Sequence, residues 1–219
     1  MGIAQFATLS NGAAIKPVSA FKQWQGRLAK QQRELVRKEK FSNNWKKQKE
    51  RIQQIHCKIA YVRHDFLHKT STQLSNNHAM IVVEALKISN MSRSAKGTMD
   101  EPGTHVKAKS GLNKSILDQG FGEFRRQLDY KLGWSGGHFL SVNPQYTSQR
   151  CSCCKYTDKK NRISQEKFLC QQCGYQDHAD INAAKNILAA GHAVLACGEI
   201  GLPNSMKQEP LRTCEIVAA

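Results

Sequence analysis

The chain has 219 residues, and its 33 Lys and Arg against 17 Asp and Glu give a net charge of +16. A hydrophobic fraction of 40% suffices for a packed core and excludes a wholly disordered chain. No stretch nears the roughly 18 consecutive apolar residues of a membrane span, and no basic segment followed by an apolar run opens the chain as a signal peptide would. These features predict a cytoplasmic protein with a polyanionic partner, because so large a positive excess calls for one.

Residues 3–17 (IAQFATLSNGAAIKP) hold two short apolar runs about Asn11-Gly12, whose tolerance of positive φ makes the pair a hairpin turn. From Phe21 to Lys69 the pattern turns helical, and Gly26 and the Ser42-Asn43-Asn44 cluster are expected to divide it into two helices. Ile52, Ile55, Ile59, Val62 and Phe66 step by three and four residues. Five positions are short for a dimer zipper, so this seam is expected to pack within its own domain. Residues 20–70 carry fourteen basic and four acidic side chains, +10 of the total charge. Lys46, Lys47, Lys49, Arg51, Lys58 and Arg63 are the candidate nucleic-acid contacts, since each neutralised phosphate releases a counterion. A solvated helix face is the alternative.

Met80-Ile81-Val82-Val83 reads as a strand covered on both faces and ending at Glu84. Residues 92–110 are expected as a mobile basic loop. Leu112–Leu132 reads as one helix, with Leu112, Ile116, Phe124, Leu128 and Leu132 on its apolar side. Gly133–Gly137 breaks it, and His138–Val142 follows as a strand. Asp180–Ala190 reads as a helix with an acidic first turn, and the apolar run Ile187–Cys197 as its buried end. Trp134 and Tyr146 are expected in the core, with base stacking as the alternative. His56, His64 and His68 are expected as surface or packing residues. The order predicts a mixed α/β domain, one sheet with helices packed on it.

Five of the eight cysteines fall within residues 151–173. Cys151-x-x-Cys154 and Cys170-x-x-Cys173, fifteen residues apart, have the spacing by which two knuckles offer four thiolates to one zinc ion. Cys153 leaves a Cys151/Cys153 pairing open, although a two-residue gap favours Cys154. A dithiol redox pair would leave one of the two motifs unexplained. A closed four-sulfur site has no open coordination position, so its zinc is expected to be structural. Lys155, Lys159, Lys160, Arg162 and Lys167 between the knuckles suit either a nucleic-acid contact or an ordinary polar skin.

Glu84 closes a buried strand, and Asp180 opens a helix just beyond the cysteines, with Asp177 and His178 beside it. Carboxylates gathered from distant segments can hold two Mg²⁺ ions about 3.5–4 Å apart for phosphodiester displacement. On pattern alone, Asp180 is equally a helix N-cap and Glu84 an ordinary strand terminus.

IVVEAL (81–86), DFLHKTSTQL (65–74), TSQRCSCC (147–154), CQQCGY (170–175) and DINAAKNIL (180–188), in that order, resemble the TnpB (OrfB) proteins of bacterial transposons. The resemblance runs from Met1 to the SMKQEP stretch at 205–210. It implies an RNase H-like (RuvC-like) nuclease domain with an inserted four-cysteine zinc ribbon, and an RNA-guided DNA endonuclease, also described as a transposase. It places Glu84 and Asp180 on two catalytic, magnesium-binding carboxylates and Cys151, Cys154, Cys170 and Cys173 on the zinc ligands. DNA and a guide RNA are the implied partners, with no membrane, in the bacterial cytoplasm and on the nucleoid when DNA-bound. The implied layout is a RuvC-like domain over 1–146 with a basic helical insertion at about 20–74. A ribbon over 147–176, a last nuclease segment over 177–197 and a flexible tail over 198–219 complete it.

The family's first catalytic aspartate, in a Gly-Ile-Asp-x-Gly-type motif, would fall immediately before Met1. On that reading the domain is N-terminally truncated, and the isolated chain is expected to be a poor nuclease, checked by Mg²⁺-dependent DNA cleavage. The alternative from another class is a zinc-dependent DNA- or RNA-binding protein, or remnant, without catalysis.

Overall fold

The computed structural model describes residues 1–197, and the tail expected over 198–219 lies outside them. The chain divides into two compact units. Among the described residues, 1–16, 71–87 and 125–197 form the first, and 17–70 and 88–124 the second.

In the first unit, β1 (Ala7–Thr8) and β2 (Ala14–Ile15) pair antiparallel, with Ala7 opposite Ile15. Gly12 turns the hairpin at φ +91°, and Asn11 Oδ1 accepts from the Ala13 amide at 2.9 Å, as the Asn-Gly signal predicts. β3 (Met80–Glu84) and β4 (His138–Val142) form a parallel pair, from Met80 opposite His138 to Glu84 opposite Val142. Residues 80–83 are buried because α6 (Ala179–Ala196) lays Ala184 and Ile187 against Met80, Val82, Leu140 and Val142. Gly191 brings α6 close to β3. A Cβ there would stand 2.3 Å from Val82 Cγ2. The run from Ile187 to Cys197 is not wholly buried as expected. Gly191 faces the strand, while His192, Ala193, Ala196 and Cys197 are exposed, since a helix on a two-stranded ladder covers one face only. β5 (Lys167–Leu169) and β6 (Gln176–His178) pair antiparallel in the cysteine-rich segment. Among the described residues the strands therefore form three two-stranded ladders rather than the one sheet expected. Two- and three-residue strands complete their pairing locally, which an apolar pattern alone does not reveal.

In the second unit, α1 (Ala20–Val36) and α2 (Asn43–Asn77), the latter continuing past Thr70 into the first unit, are separated where expected. Ser42 Oγ caps α2 by accepting from the Trp45 amide at 3.2 Å. Gly26, expected to break the helical region, lies inside α1 with nothing within 4 Å of its missing Cβ. An interior Gly costs only about 1 kcal/mol relative to Ala, less than the packing of the helix supplies. Ile52, Ile55 and Ile59 meet Ala20 and Leu28 in one buried cluster, so the seam packs within its own unit. α3 (Ile88–Met91) and α4 (Val106–Gln119) follow. Helix thus begins at Val106, inside the expected loop. Lys109 Nζ donates to the Met91 carbonyl at 2.6 Å, and Asn113 Nδ2 to that of Ser92 at 2.8 Å, which anchors the segment. Leu112 is exposed, and Gly120 at φ +71° splits the single helix expected over 112–132 into α4 and α5 (Phe121–Trp134).

Candidate functional site

β3 leaves the apolar core at its last residue, so Glu84 is the first side chain of that strand to reach partial exposure. Asp180 stands in the first turn of α6. Both line one cavity of about 350 Å³, together with Arg162, Gln165, Thr147 and Ser148. Asp180 is not the N-cap that its position also allowed. His178 takes that place, its Nδ1 accepting from the Asp180 amide at 3.2 Å, which leaves the Asp180 carboxylate for other partners. Arg162 Nη2 lies 3.5 Å from Asp180 Oδ1 and donates to the Gln165 carbonyl at 3.0 Å. The Met1 amino nitrogen stands 3.8 Å from Glu84 Oε2.

Burial holds the Glu84 carboxyl above its ordinary value. The amino group opposes this, the neighbouring Asp180 reinforces it, and Arg162 again opposes it. The all-oxygen donor set of the two carboxylates is one that a hard divalent cation accepts. Among the described residues, no third carboxylate, histidine or cysteine joins Glu84 and Asp180 in a cluster within 4.8 Å. Asp177, a neighbour in sequence, is occupied elsewhere. It accepts from Tyr175 Oη at 2.7 Å, Lys185 Nζ at 2.8 Å and the His178 amide at 2.8 Å.

The cysteine segment builds two matching turns. The Cys151 amide donates to the Tyr156 carbonyl at 2.8 Å, and that of Lys155 to the Cys151 carbonyl at 3.0 Å. In the second turn, Cys170 donates to Tyr175 at 2.9 Å, and Gly174 to Cys170 at 3.0 Å. Lys155 and Gly174 hold equivalent left-handed positions, at φ +66° and +70°. The Sγ atoms of Cys151, Cys154, Cys170 and Cys173 all lie within 4.8 Å of one another, and Cys153 stands outside the group. Cys151–Cys173 and Cys154–Cys170 are 3.7 and 3.5 Å apart. Four sulfurs about 2.3 Å from one tetrahedral ion would be about 3.8 Å apart, so the cluster is compatible with zinc. Its electrostatics agree. The Tyr156 amide favours the Cys154 thiolate, but burial and the three neighbouring sulfurs outweigh it and push that thiol up to about 12. Burial opposes ionisation of Cys170, yet the Cys173 and Gln172 amides bring it down to about 7. Holding all four as thiolates at neutral pH would therefore call for a cation between them.

In the second unit, Lys46, Lys47, Lys49, Arg51 and Lys58 are exposed on α2, while Arg63 is half-buried and pairs with Asp118 at 3.8 Å. Arg51 and Lys58 line a groove of about 410 Å³ with Trp24, Arg27 and Gln31. Arg27 and Lys58 each stand 5.4 Å from the centre of the Trp24 ring. An aromatic face between cations is a surface on which a base can stack while its phosphates are neutralised. Trp134 and Tyr146, expected in the core, are 80% and 64% exposed. Trp134 ends α5 just before the glycines and rests edge-on against Tyr130 at 4.7 Å, and Tyr146 sits in a turn at φ +61°.

Residues 1–95 match a family model, OrfB, described as "Probable transposase", and residues 121–187 match the "Cas12f1-like, TNB domain". An Escherichia coli (strain K12) protein named "Putative RNA-guided DNA endonuclease InsQ" is 59% identical over 99% of this chain and 54% of its own length. A Streptomyces pristinaespiralis "Putative RNA-guided DNA endonuclease" is 34% identical over 96% of this chain and 51% of its own. The chain thus spans about half the length of these curated relatives. Among solved structures, the Cas12f1 chain of a complex with sgRNA and target DNA superposes with a TM-score of 0.50 at 21% identity. The match covers 80% of this chain and 43% of that one, a likeness of fold. Among the described residues, no helix is long and apolar enough to cross a membrane.

Proposed function

The chain belongs to the OrfB (TnpB) family, and from that premise we propose that the protein containing it is an RNA-guided DNA endonuclease acting through Glu84 and Asp180. The observation that carries the reading is the cavity that these two carboxylates share with Arg162. Glu84 and Asp180 would hold magnesium, since their all-oxygen donor set suits a hard cation. When bound, that metal supplies Lewis-acid stabilisation of the charge developing on the scissile phosphate. Arg162 offers a planar guanidinium beside Asp180, suited to paired hydrogen bonds with phosphate oxygens that fix the strand in the cavity.

Zinc on Cys151, Cys154, Cys170 and Cys173 holds the ribbon (147–176) together, ahead of the last nuclease segment (177–197). The RNase H-like arrangement of the first unit is part of the same reading, supported by a carboxylate at the end of its fully buried strand. The Trp24 groove and the exposed cations of α2 contact guide RNA and target DNA. Arg63, paired with Asp118, contributes less to that contact.

The test is cleavage of guide-matched plasmid DNA in Mg²⁺ by the protein bound to its guide RNA. Glu84→Gln and Asp180→Asn are each expected to abolish cutting while DNA binding persists. Either variant cutting at the parent rate overturns the assignment. A nucleic-acid-binding protein without catalysis is the second reading, favoured by the Trp24 groove, where Arg27 and Lys58 flank an aromatic face. Salt-sensitive binding with no cleavage by the parent protein in any divalent metal would establish it.

A further inference from the structure

We propose that His64, His68 and Glu123 form a second metal site, which takes one borderline-soft divalent cation such as Ni²⁺ or Zn²⁺. One ligand atom from each of the three residues lies within 4.8 Å of the others. His64 and His68 are one turn apart on α2, so their rings share a face of the helix. Their Nε2 atoms are 3.1 Å apart and their ring centres 4.2 Å. Two nitrogens held about 2.1 Å from one ion stand about 3.0 Å apart in octahedral geometry and 3.4 Å in tetrahedral geometry. The observed spacing falls between these values.

A carboxylate oxygen of Glu123 completes the cluster. That oxygen is brought in by the backbone. Gly120, at φ +71°, turns α4 into α5 against α2, where a Cβ would stand 3.0 Å from Leu67 Cδ1 and 3.3 Å from Arg63 Cδ. Residues 63 and 67 adjoin 64 and 68 along α2, and Glu123 lies in the first turn of α5, three residues beyond Gly120. Two imidazoles and one carboxylate match the preference of borderline ions for nitrogen and oxygen donors. Three protein ligands leave a coordination position for water. Unlike the four-cysteine cluster, this site is therefore open, and both helices are tied by whatever ion fills it.

The probe is Ni²⁺, added by calorimetric titration to protein carrying a single equivalent of zinc in its cysteine cluster. One further equivalent is expected per chain. His64→Ala and His68→Ala should each weaken it by at least about tenfold, the lower limit for loss even of a residue that only supports a ligand. Glu123→Gln should weaken it and leave both imidazoles on the ion. In the unsubstituted protein, paramagnetic Ni²⁺ should broaden the imidazole resonances of His64 and His68 before those of the other histidines. Absence of the extra equivalent, unchanged affinity in both histidine variants, or broadening spread evenly over all histidines each overturns the site.

Discussion

Replacing Gly191 with alanine tests how α6 is held against β3, and with it how Asp180 is placed relative to Glu84. In an open helix interior, Gly→Ala stabilises by about 1 kcal/mol. At position 191 the new Cβ would lie 2.3 Å from Val82 Cγ2, 2.8 Å from Cγ1 and 3.1 Å from Cβ. Both γ-methyls are already too close, so turning the stiff valine exchanges one clash for another. Val82 is fully buried and cannot swing into solvent, so the helix has to retreat. Overpacking of this kind costs about 1–3 kcal/mol, which outweighs the propensity gain and leaves a net loss of up to about 2 kcal/mol. In a chain of this size each kcal/mol lowers the melting midpoint by roughly 2–4 °C.

Val82→Ala on its own removes two methyl groups from the core and costs about 2 kcal/mol. Combined with Gly191→Ala, it opens the space that the new methyl needs. The two losses should therefore fall short of additivity by about 1 kcal/mol or more in a double-mutant cycle. Thermal unfolding of the four proteins followed by circular dichroism is the assay, with DNA cleavage read alongside. A Gly191→Ala variant that melts at or above the parent, or strictly additive losses, would refute the close approach.

Two further outcomes follow from the cysteine segment. Gly174→Ala meets no atom within 4 Å, so its cost is the left-handed backbone alone, about 1–2 kcal/mol. Faster zinc release to a chelator should report it, and an unchanged release rate would contradict it. Burial works against ionisation of Asp177, yet Lys185, Tyr175 and the His178 amide together hold its carboxyl below the ordinary range. A depressed carboxyl stabilises the fold above its unfolded value of about 3.9, and that contribution is lost as pH falls through the still lower folded value. The melting difference between the parent and Asp177→Asn should therefore shrink on acidification from neutral to about pH 3. A difference that stays constant would show that the Lys185 pair contributes nothing.

What the sequence displayed and what it concealed differ by the distance over which each feature is specified. The hairpin at Asn11-Gly12, the buried strand ending at Glu84 and the Ile52–Ile59 seam are written within a few residues each, and each is found in place. The grouping of Cys151, Cys154, Cys170 and Cys173 also follows from local turns. Lys155 at the left-handed position of the first turn shows that the glycine of the second turn marks a preference, not a requirement. Features that depend on chain segments meeting in space left little trace. Arg162 reads as one of five basic residues in a loop, and only the folded ribbon sets it against Asp180. Trp134 was legible as an aromatic residue but not as an exposed one, because exposure at the last residue of α5 depends on what packs beside it. The His64/His68 pair did carry a signal, two histidines four apart in a segment with a helical pattern. Glu123 did not, since its arrival depends on the turn at Gly120. The same contrast explains the carboxylates. Glu84 and Asp180 are ordinary residues at a strand end and a helix start, and they line one cavity where α6, close to Val82 at Gly191, packs against β3.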